Sequence, residues 1–412
     1  MKLTLRSRFR APSGSPTDHR HLFLLRCGIL MLAIPCCIGS RIAMAQSELA
    51  NPRAVGPGSV IVNTKFGGQI FGFDIDQNGT EGVLTEAMTL PTGKVLAAIE
   101  TFDQKTGKIL KVVKKLQSKD DFLTLGVAGT SVGLVEREHV KGIFVDSRIY
   151  SVLNPLSSNL LTGTWTPPLA TDDIIIGMTR NQGGMNNAFI AFENGGDDHT
   201  FVFQSNVAAN TFGPLITLKN PVFFFSNSPM IAYDTKKNRA VVATSDGAVG
   251  GPPPVIALVN FTTGTVSQFT GVPGPPPFRQ GFINGLAVDS EDQIGCTTTE
   301  VDFRVEFYNL KTKTGFSQVL PNATSQLQSG SDVQYDPINK LFLVAQSVSS
   351  TGPGSSIHVY DIKGNLVESL NGFNFSNASN VVFTHIALNP ATRSGFVDGP
   401  DPGVTQIQSF TY

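Results

Sequence analysis

The chain has 412 residues, 41% hydrophobic and only 15% charged, with a formal net charge of −1. That composition excludes a disordered polypeptide, and the low charge fraction argues against a helix-rich enzyme with a salt-bridged surface. Forty-one Gly and 25 Pro suit many short strands joined by turns.

The first 45 residues differ from the rest. A basic stretch carrying Lys2, Arg6, Arg8, Arg10, Arg20 and Arg26 precedes an apolar run from Cys27 to Ile38, then Ala43-Met44-Ala45. This order predicts a secretory signal peptide over 1–45, cleaved before Gln46. The run is too short to span a bilayer and contains Pro35. The leader holds seven Lys/Arg and one Asp; without it, 24 basic and 31 acidic residues remain, a net of −7. An acidic mature chain lacks the basic footprint of a nucleic-acid binder. Cys27, Cys36 and Cys37 leave with the leader, so Cys296, inside an expected strand, is read as a buried thiol.

Residues 46–58 read as a short linker and 59–412 as one domain. Its first expected strand lies near Ser59–Thr64. Next comes Asp74-Ile-Asp76-Gln-Asn78-Gly79, with oxygens at positions 1, 3 and 5 of a calcium-type loop and Gly at 6, but Thr85 at position 12 where such loops carry Glu. The competing reading makes Asp74 a turn residue and Asn78-Gly79 a hairpin turn. Ile109 to Leu116 reads as a strand with Lys on its open face. Between about 120 and 220 the register is weak, with strands expected at Thr124–Val127, Val132–Glu136, Ile143–Val145, Arg148–Leu153, Ile174–Met178, Ala188–Phe192, Thr200–Gln204 and Leu215–Leu218.

A repeat dominates the second half. Ile231-Ala-Tyr-Asp234, Leu286-Ala-Val-Asp289, Val333-Gln-Tyr-Asp336 and Ile386-Ala-Leu-Asn389 each pass through a polar turn into a second strand, with markers spaced by 55, 47 and 53 residues. A second unit ends a strand in Asp103, Asn260, Asn309 or Asp361 before a turn that contains or soon reaches Gly. Asp and Asn side chains cap the backbone of such turns, and Gly accepts a positive φ. Two hairpins about every fifty residues make a four-stranded antiparallel sheet, and a radial array of such sheets is a β-propeller. The expected fold is therefore all-β, a single propeller of seven four-stranded blades, with six as the alternative. The last segment, Thr405 to Tyr412, alternates as a strand and should share the final blade with the N-terminal strand, closing the ring. Gly250-Gly-Pro-Pro-Pro254 is placed in a loop within a blade and Pro273-Gly-Pro-Pro-Pro277 between blades.

Asn284-Gly-Leu-Ala-Val-Asp289 followed by Arg304-Val-Glu-Phe-Tyr-Asn309 resembles the blades of NHL-type propellers, which implies the fold and no particular activity. The same segment resembles the SMP-30/gluconolactonase-like propellers, whose divalent metal sits in the central tunnel on Glu, Asn and Asp. Asn284 matches the Asn of that pattern. At the corresponding places of the other repeats stand Pro229, Ser331 and Thr384, and Asp332 and His385 lie one place later. These three, Asn284, Asp332 and His385, are the tunnel candidates that the resemblance supplies. No His pair has metal spacing, and no Gly-x-Ser-x-Gly elbow occurs.

The functional expectation is an exported, monomeric binding or interaction module, secreted or periplasmic, without a cofactor, whose loops contact a protein, a glycan or a small ligand. The alternative is a tunnel enzyme of the lactonase or lyase type using Asn284, Asp332 and His385, with a divalent metal.

Overall fold

The computed structural model describes residues 55–76, 80–118, 132–140, 143–152, 160–165, 174–178, 186–192, 200–206, 211–218, 231–244, 254–272, 283–299, 303–323, 330–347, 356–373, 385–398 and 406–412. The leader, the strand expected at Thr124–Val127, Asn78 and most of both Pro-rich segments lie outside them. Among the described residues there is no helix, and every strand pairing is antiparallel.

Strand β1 (Gly56–Asn63) opens the domain. A first sheet follows in chain order: β2 (Gln69–Ile75), β3 (Glu81–Thr89), β4 (Val95–Asp103) and β5 (Ile109–Ser118). Next are β6 (Val132–Val140), β7 (Ile143–Val152) and β8 (Leu160–Trp165), three strands in order. Then come β9 (Ile174–Met178), β10 (Asn186–Phe192) and β11 (Thr200–Asn206), with β12 (Thr211–Phe212) and β13 (Ile216–Leu218) both on the outer side of β11. Three regular sheets complete the repeat: β14 (Ile231–Asp234) to β17 (Thr265–Thr270) through β15 (Arg239–Thr244) and β16 (Val255–Asn260); β18 (Ile283–Asp289) to β21 (Thr314–Val319) through β19 (Ile294–Thr299) and β20 (Arg304–Asn309); and β22 (Gly330–Asp336) to β25 (Leu366–Leu370) through β23 (Leu341–Gln346) and β24 (Ser356–Asp361). The closing sheet joins β26 (Ile386–Asn389), β27 (Ser394–Asp398) and β28 (Gln406–Thr411) to β1. The described strands thus form seven sheets.

The first strand of each regular sheet is innermost. β14 touches β18, β18 touches β22, β22 touches β26, and β26 touches β2, so first strands follow one another round an axis. β18 and β22 are buried almost throughout, whereas the fourth strands β17 and β21 carry only half-buried and exposed residues. The fold is a β-propeller closed by strands from both ends of the domain, with β1 pairing β28 from Gly56↔Thr411 to Asn63↔Gln406. β1 begins at Gly56, inside the expected 46–58 linker. Gly56 and Pro57 can belong to a strand because β1 is an edge strand whose outer side needs no partner.

Side-chain chemistry repeats at the turns. Asp289 Oδ1 accepts the Glu291 and Asp292 N–H groups at 2.9 and 3.3 Å, and Asp336 Oδ1 accepts those of Ile338 and Asn339 at 2.9 Å each. Four residues after each first-strand marker stands a left-handed residue: Asn238, Gln293, Lys340 and Arg393, with φ of 47°, 63°, 55° and 47°. After the third strands, Asn260 and Asn309 cap their turns in the same way, and the left-handed place falls to Gly264 or Lys313. The first sheet corrects one reading. Asp74 lies inside β2, and the turn is closed by Asp76, whose N–H donates to Glu81 O at 2.9 Å. Asp76, at the end of a first strand, is therefore the counterpart of Asp336.

In the irregular region, Ile143–Val145 and Arg148–Val152 belong to one strand, β7, and Leu153 lies outside the described residues. The pairing with β6 skips Val145 of β7, between Glu138↔Asp146 and His139↔Phe144, a bulge beside the polar point that read as a break. β8 has neither an Asp/Asn marker nor a clean alternation, and β12 is two residues long, so neither carried a local signal.

Sheets pack through apolar faces. One cluster joins Phe73, Leu84 and Phe102 of the first sheet to Ala387, Phe396 and Ile407 of the closing sheet. Cys296, fully buried on β19, lies in the next-to-last interface, and burial pushes its thiol well above the usual range. Where β18 meets β22, Gly285 allows the two backbones to approach. A Cβ there would stand 2.6 Å from Val333 N and 2.9 Å from Asp332 Cα. Gly285→Ala should cost about 2–3 kcal/mol, since backbone cannot yield as a side chain does. A urea midpoint unchanged from wild type would contradict that close approach.

His358 on β24 is 1% exposed, between Ser369 Oγ at 2.9 Å on Nδ1 and Gln346 Oε1 at 2.7 Å on Nε2. Burial pushes its pKa down to about 4, so the folded chain refuses a proton that the unfolded chain takes below 6.5. Stability should be full above that value and fall as pH drops toward 4, by up to about 3 kcal/mol. In His358→Gln the loss between these pH values should shrink by that amount in denaturant titrations.

Candidate functional site

Asn284, Asp332 and His385 stand at the starts of three successive first strands, β18, β22 and β26, or one residue before. In β18 the pairing skips Asn284, between Ile283↔Thr299 and Gly285↔Thr298, and in β22 it skips Ser331. Such bulges re-aim a side chain. Asn284 Nδ2 donates to Gly330 O of the next sheet at 2.9 Å. Asp332 Oδ2 accepts the Ile386 N–H of the sheet after that at 2.9 Å, while its Oδ1 accepts Val333 N–H at 2.8 Å. His385 donates its backbone N–H to Asp398 Oδ1, and its Nδ1 lies 2.8 Å from Asp398 Oδ2. Burial raises the Asp398 carboxyl, opposed by His385.

The three candidates are 0%, 1% and 6% exposed. The structure therefore brings them to one end of the ring as inter-sheet and intra-sheet fastenings. Among the described residues no three His, Cys, Asp or Glu side chains group around a metal-sized space. Asn284 Oδ1 has no hydrogen-bond partner among them. Of the calcium-loop residues, Asp74 Oδ1 accepts the Ile75 N–H at 2.8 Å, and Gln104 Nε2 donates to Asp76 O at 2.8 Å.

The opposite end of the first strands holds a pocket of about 290 Å³, framed by β14, β18 and β22 and the turns that follow them. Ile231, Leu286, Val288 and Pro337 give it apolar walls, Tyr233 and Tyr335 give it aromatic ones, and Asp289, Glu291 and Lys340 stand at its edge. The rim is laced between sheets. Lys236 Nζ reaches Glu291 Oε2 at 2.5 Å, Lys340 Nζ reaches Asp292 Oδ2 at 2.7 Å, and the Thr235 N–H donates to Ser290 Oγ at 3.1 Å. Tyr233 is held by Gln204 Nε2 at 2.7 Å and donates to Asn238 Oδ1. Burial raises the Tyr335 phenol far above its usual range, and the nearby Asp289 carboxylate adds to the shift, so the phenol stays neutral. Apolar walls with a few fixed polar groups are the make-up of a ligand pocket.

Sequence reasoning missed this pocket. Its signal was the residue just before each marker, Tyr233, Val288, Tyr335 and Leu388, which the repeat alignment treats as ordinary strand. Two tyrosines there, on sheets separated by one, are brought together only by the ring.

No family model matches the chain, and no curated protein matches it. Solved structures do. The WD40 repeats of RRP9 superpose with a TM-score of 0.57 at 12% identity, covering 87% of this chain and 99% of that one. The Dos1 propeller gives 0.57 at 10%, covering 87% and 95%. Kuenenia stuttgartiensis hydrazine synthase gives 0.57 at 8%, covering 85% and 97%. At these identities the likeness concerns the fold alone, and it extends to chains of different function.

Proposed function

We propose that the chain is an exported, seven-bladed β-propeller that acts by binding, and that its partner docks at the pocket framed by β14, β18 and β22. The observation that carries this reading is that pocket, with apolar and tyrosine walls, a preformed rim and a place at the end of the ring axis. The tunnel candidates support the same side of the choice: Asn284 and Asp332 spend polar atoms on holding neighbouring sheets together. The NHL-type pattern at Asn284–Asp289 and Arg304–Asn309 is compatible with this reading. Export rests on the basic-apolar-small order of residues 1–45.

The test compares the wild-type full chain with Val288→Trp, which fills the pocket from its wall, at matched melting temperature. A protein or glycan retained by wild type should bind Val288→Trp at least about tenfold more weakly. Equal retention removes the partner from this pocket. Turnover of a lactone that His385→Gln abolishes would replace the binding reading by the enzymatic one. The exported chain should begin at Gln46 on N-terminal sequencing; an exported chain beginning at Met1 would overturn the leader.

A further inference from the structure

Strand β1, which closes the ring, leads into β2, the innermost strand of the first sheet, through residues 64–68. That crossover is held from below by two buried carboxyl groups. Glu86 on β3 and Glu100 on β4 are both 0% exposed. Glu86 pairs with Ala98 and Glu100 with Leu84, so the two sit diagonally on the same face of adjacent strands. Glu86 Oε1 accepts the Phe66 N–H at 3.0 Å and its Oε2 the Gly68 N–H at 2.7 Å. Glu100 Oε2 accepts the Lys65 N–H at 2.9 Å. Two carboxyl groups thus take three amides of this five-residue crossover, and a Cβ on Gly68 would stand 2.9 Å from Glu86 Oε2.

One atom is left over. Glu100 Oε1 is buried and meets no hydrogen-bond donor among the described residues. The Glu86 carboxyl, on the diagonal position of the adjacent strand, acts on Glu100 and helps to raise its pKa. Two ionised carboxylates so placed and buried would repel each other, and a single proton shared by the pair supplies a donor. We infer that Glu86 and Glu100 share one proton and act as a latch on the crossover from the closing strand to the first inner strand, released when that proton is lost.

The surrounding charges fit a proton. Lys65, on the loop itself, and Glu86 are the charges that act on Glu100; burial raises its pKa to about 8, with the Lys65 amide opposing. On β5, Lys111, Lys114 and Lys115 lie opposite β4, and Lys115 Nζ is committed over the Phe66 ring at 4.5 Å. On β2, Asp74 pairs with Val83, one place out of step with Glu86 and Leu84 and so on the other face. The closing sheet, packed on this face through Phe396 and Ala387, brings Asp398 and His385, which are bonded to each other. Because the folded chain keeps a proton that the unfolded chain releases near 4.5, the latch's contribution to stability is full below that value and is lost as pH rises through about 8, where the latch itself opens.

Infrared titration of the full chain reads the proton directly. A protonated-carboxyl band present at pH 7 should disappear as pH passes about 8, and should be absent at pH 7 from Glu86→Gln/Glu100→Gln. Hydrogen exchange, corrected for the intrinsic rate, should show residues 65–68 losing at least about tenfold protection between pH 7 and 9 in wild type and much less in Glu100→Gln, whose amide cannot ionise. No protonated-carboxyl band in wild type, or equal loss of protection in both chains, would overturn the latch. The wild-type titration stands even if the variants do not fold.

Discussion

Phe307→Ala should lower the stability of the folded domain by about 3–5 kcal/mol. Phe307 is 2% exposed on β20 and joins two sheets. Its ring stacks on Phe316 of its own sheet at 5.3 Å and meets Phe342 and Tyr360 of the following sheet edge-on at 5.9 and 5.7 Å. Truncation removes the transfer free energy of the ring and leaves a space that three aromatic neighbours, each anchored on a ladder, cannot collapse to fill. Phe307→Leu keeps most of the volume and should cost well under half as much. Urea titration followed by fluorescence would measure both. An alanine variant within about 1 kcal/mol of wild type would mean that this interface contributes little to holding the two sheets together.

Tyr412→Ala should cost a similar amount, about 3–5 kcal/mol, and should act on ring closure. Tyr412 is 1% exposed; its ring packs on Phe410 at 6.0 Å and lies under the Arg393 guanidinium at 5.6 Å. Its hydroxyl donates to Asp336 Oδ2 of the neighbouring sheet at 2.8 Å. Tyr412→Phe separates the two contributions. Asp336 Oδ2 keeps the Asn339 Nδ2 donor at 2.7 Å, so losing the phenol should cost only about 1–2 kcal/mol. Because β28 pairs with both β27 and β1, loosening its end should expose β1, and Tyr412→Ala should be cut within 55–63 by a protease that spares wild type. Equal cleavage of both chains would show that closure does not depend on this anchor.

Much of the fold was legible because the repeat writes its turns in side-chain chemistry. Asp234, Asp289 and Asp336 each cap a turn that ends in a left-handed residue, and that local hydrogen bonding needs nothing from elsewhere in the chain. Where the cap is missing, legibility fails. Leu160–Trp165 has no marker, and Asp146 inside β7 imitates one. The same rule misled at Asp74, since two carboxylates two residues apart both suit a turn, and only the ladder Asp74↔Val83 shows which one is still in the strand.

The candidate site was less legible. Asn284, Asp332 and His385 did fall at one end of successive inner strands, as their spacing from the markers required. What their atoms do there depends on the backbone of the next sheet, as the bonds to Gly330 and Ile386 show. No local pattern marks Glu86 and Glu100; the crossover that covers them takes up their carboxyl groups.

Sequence alone determined the unit of this protein, a capped antiparallel sheet recurring about every fifty residues, because turns and alternation are set by neighbours in the chain. Tertiary structure decided which residues share a pocket, which carboxyl groups lose water and which strand closes the ring. Those outcomes depend on contacts between residues as distant as Gly56 and Thr411, and no local propensity encodes them.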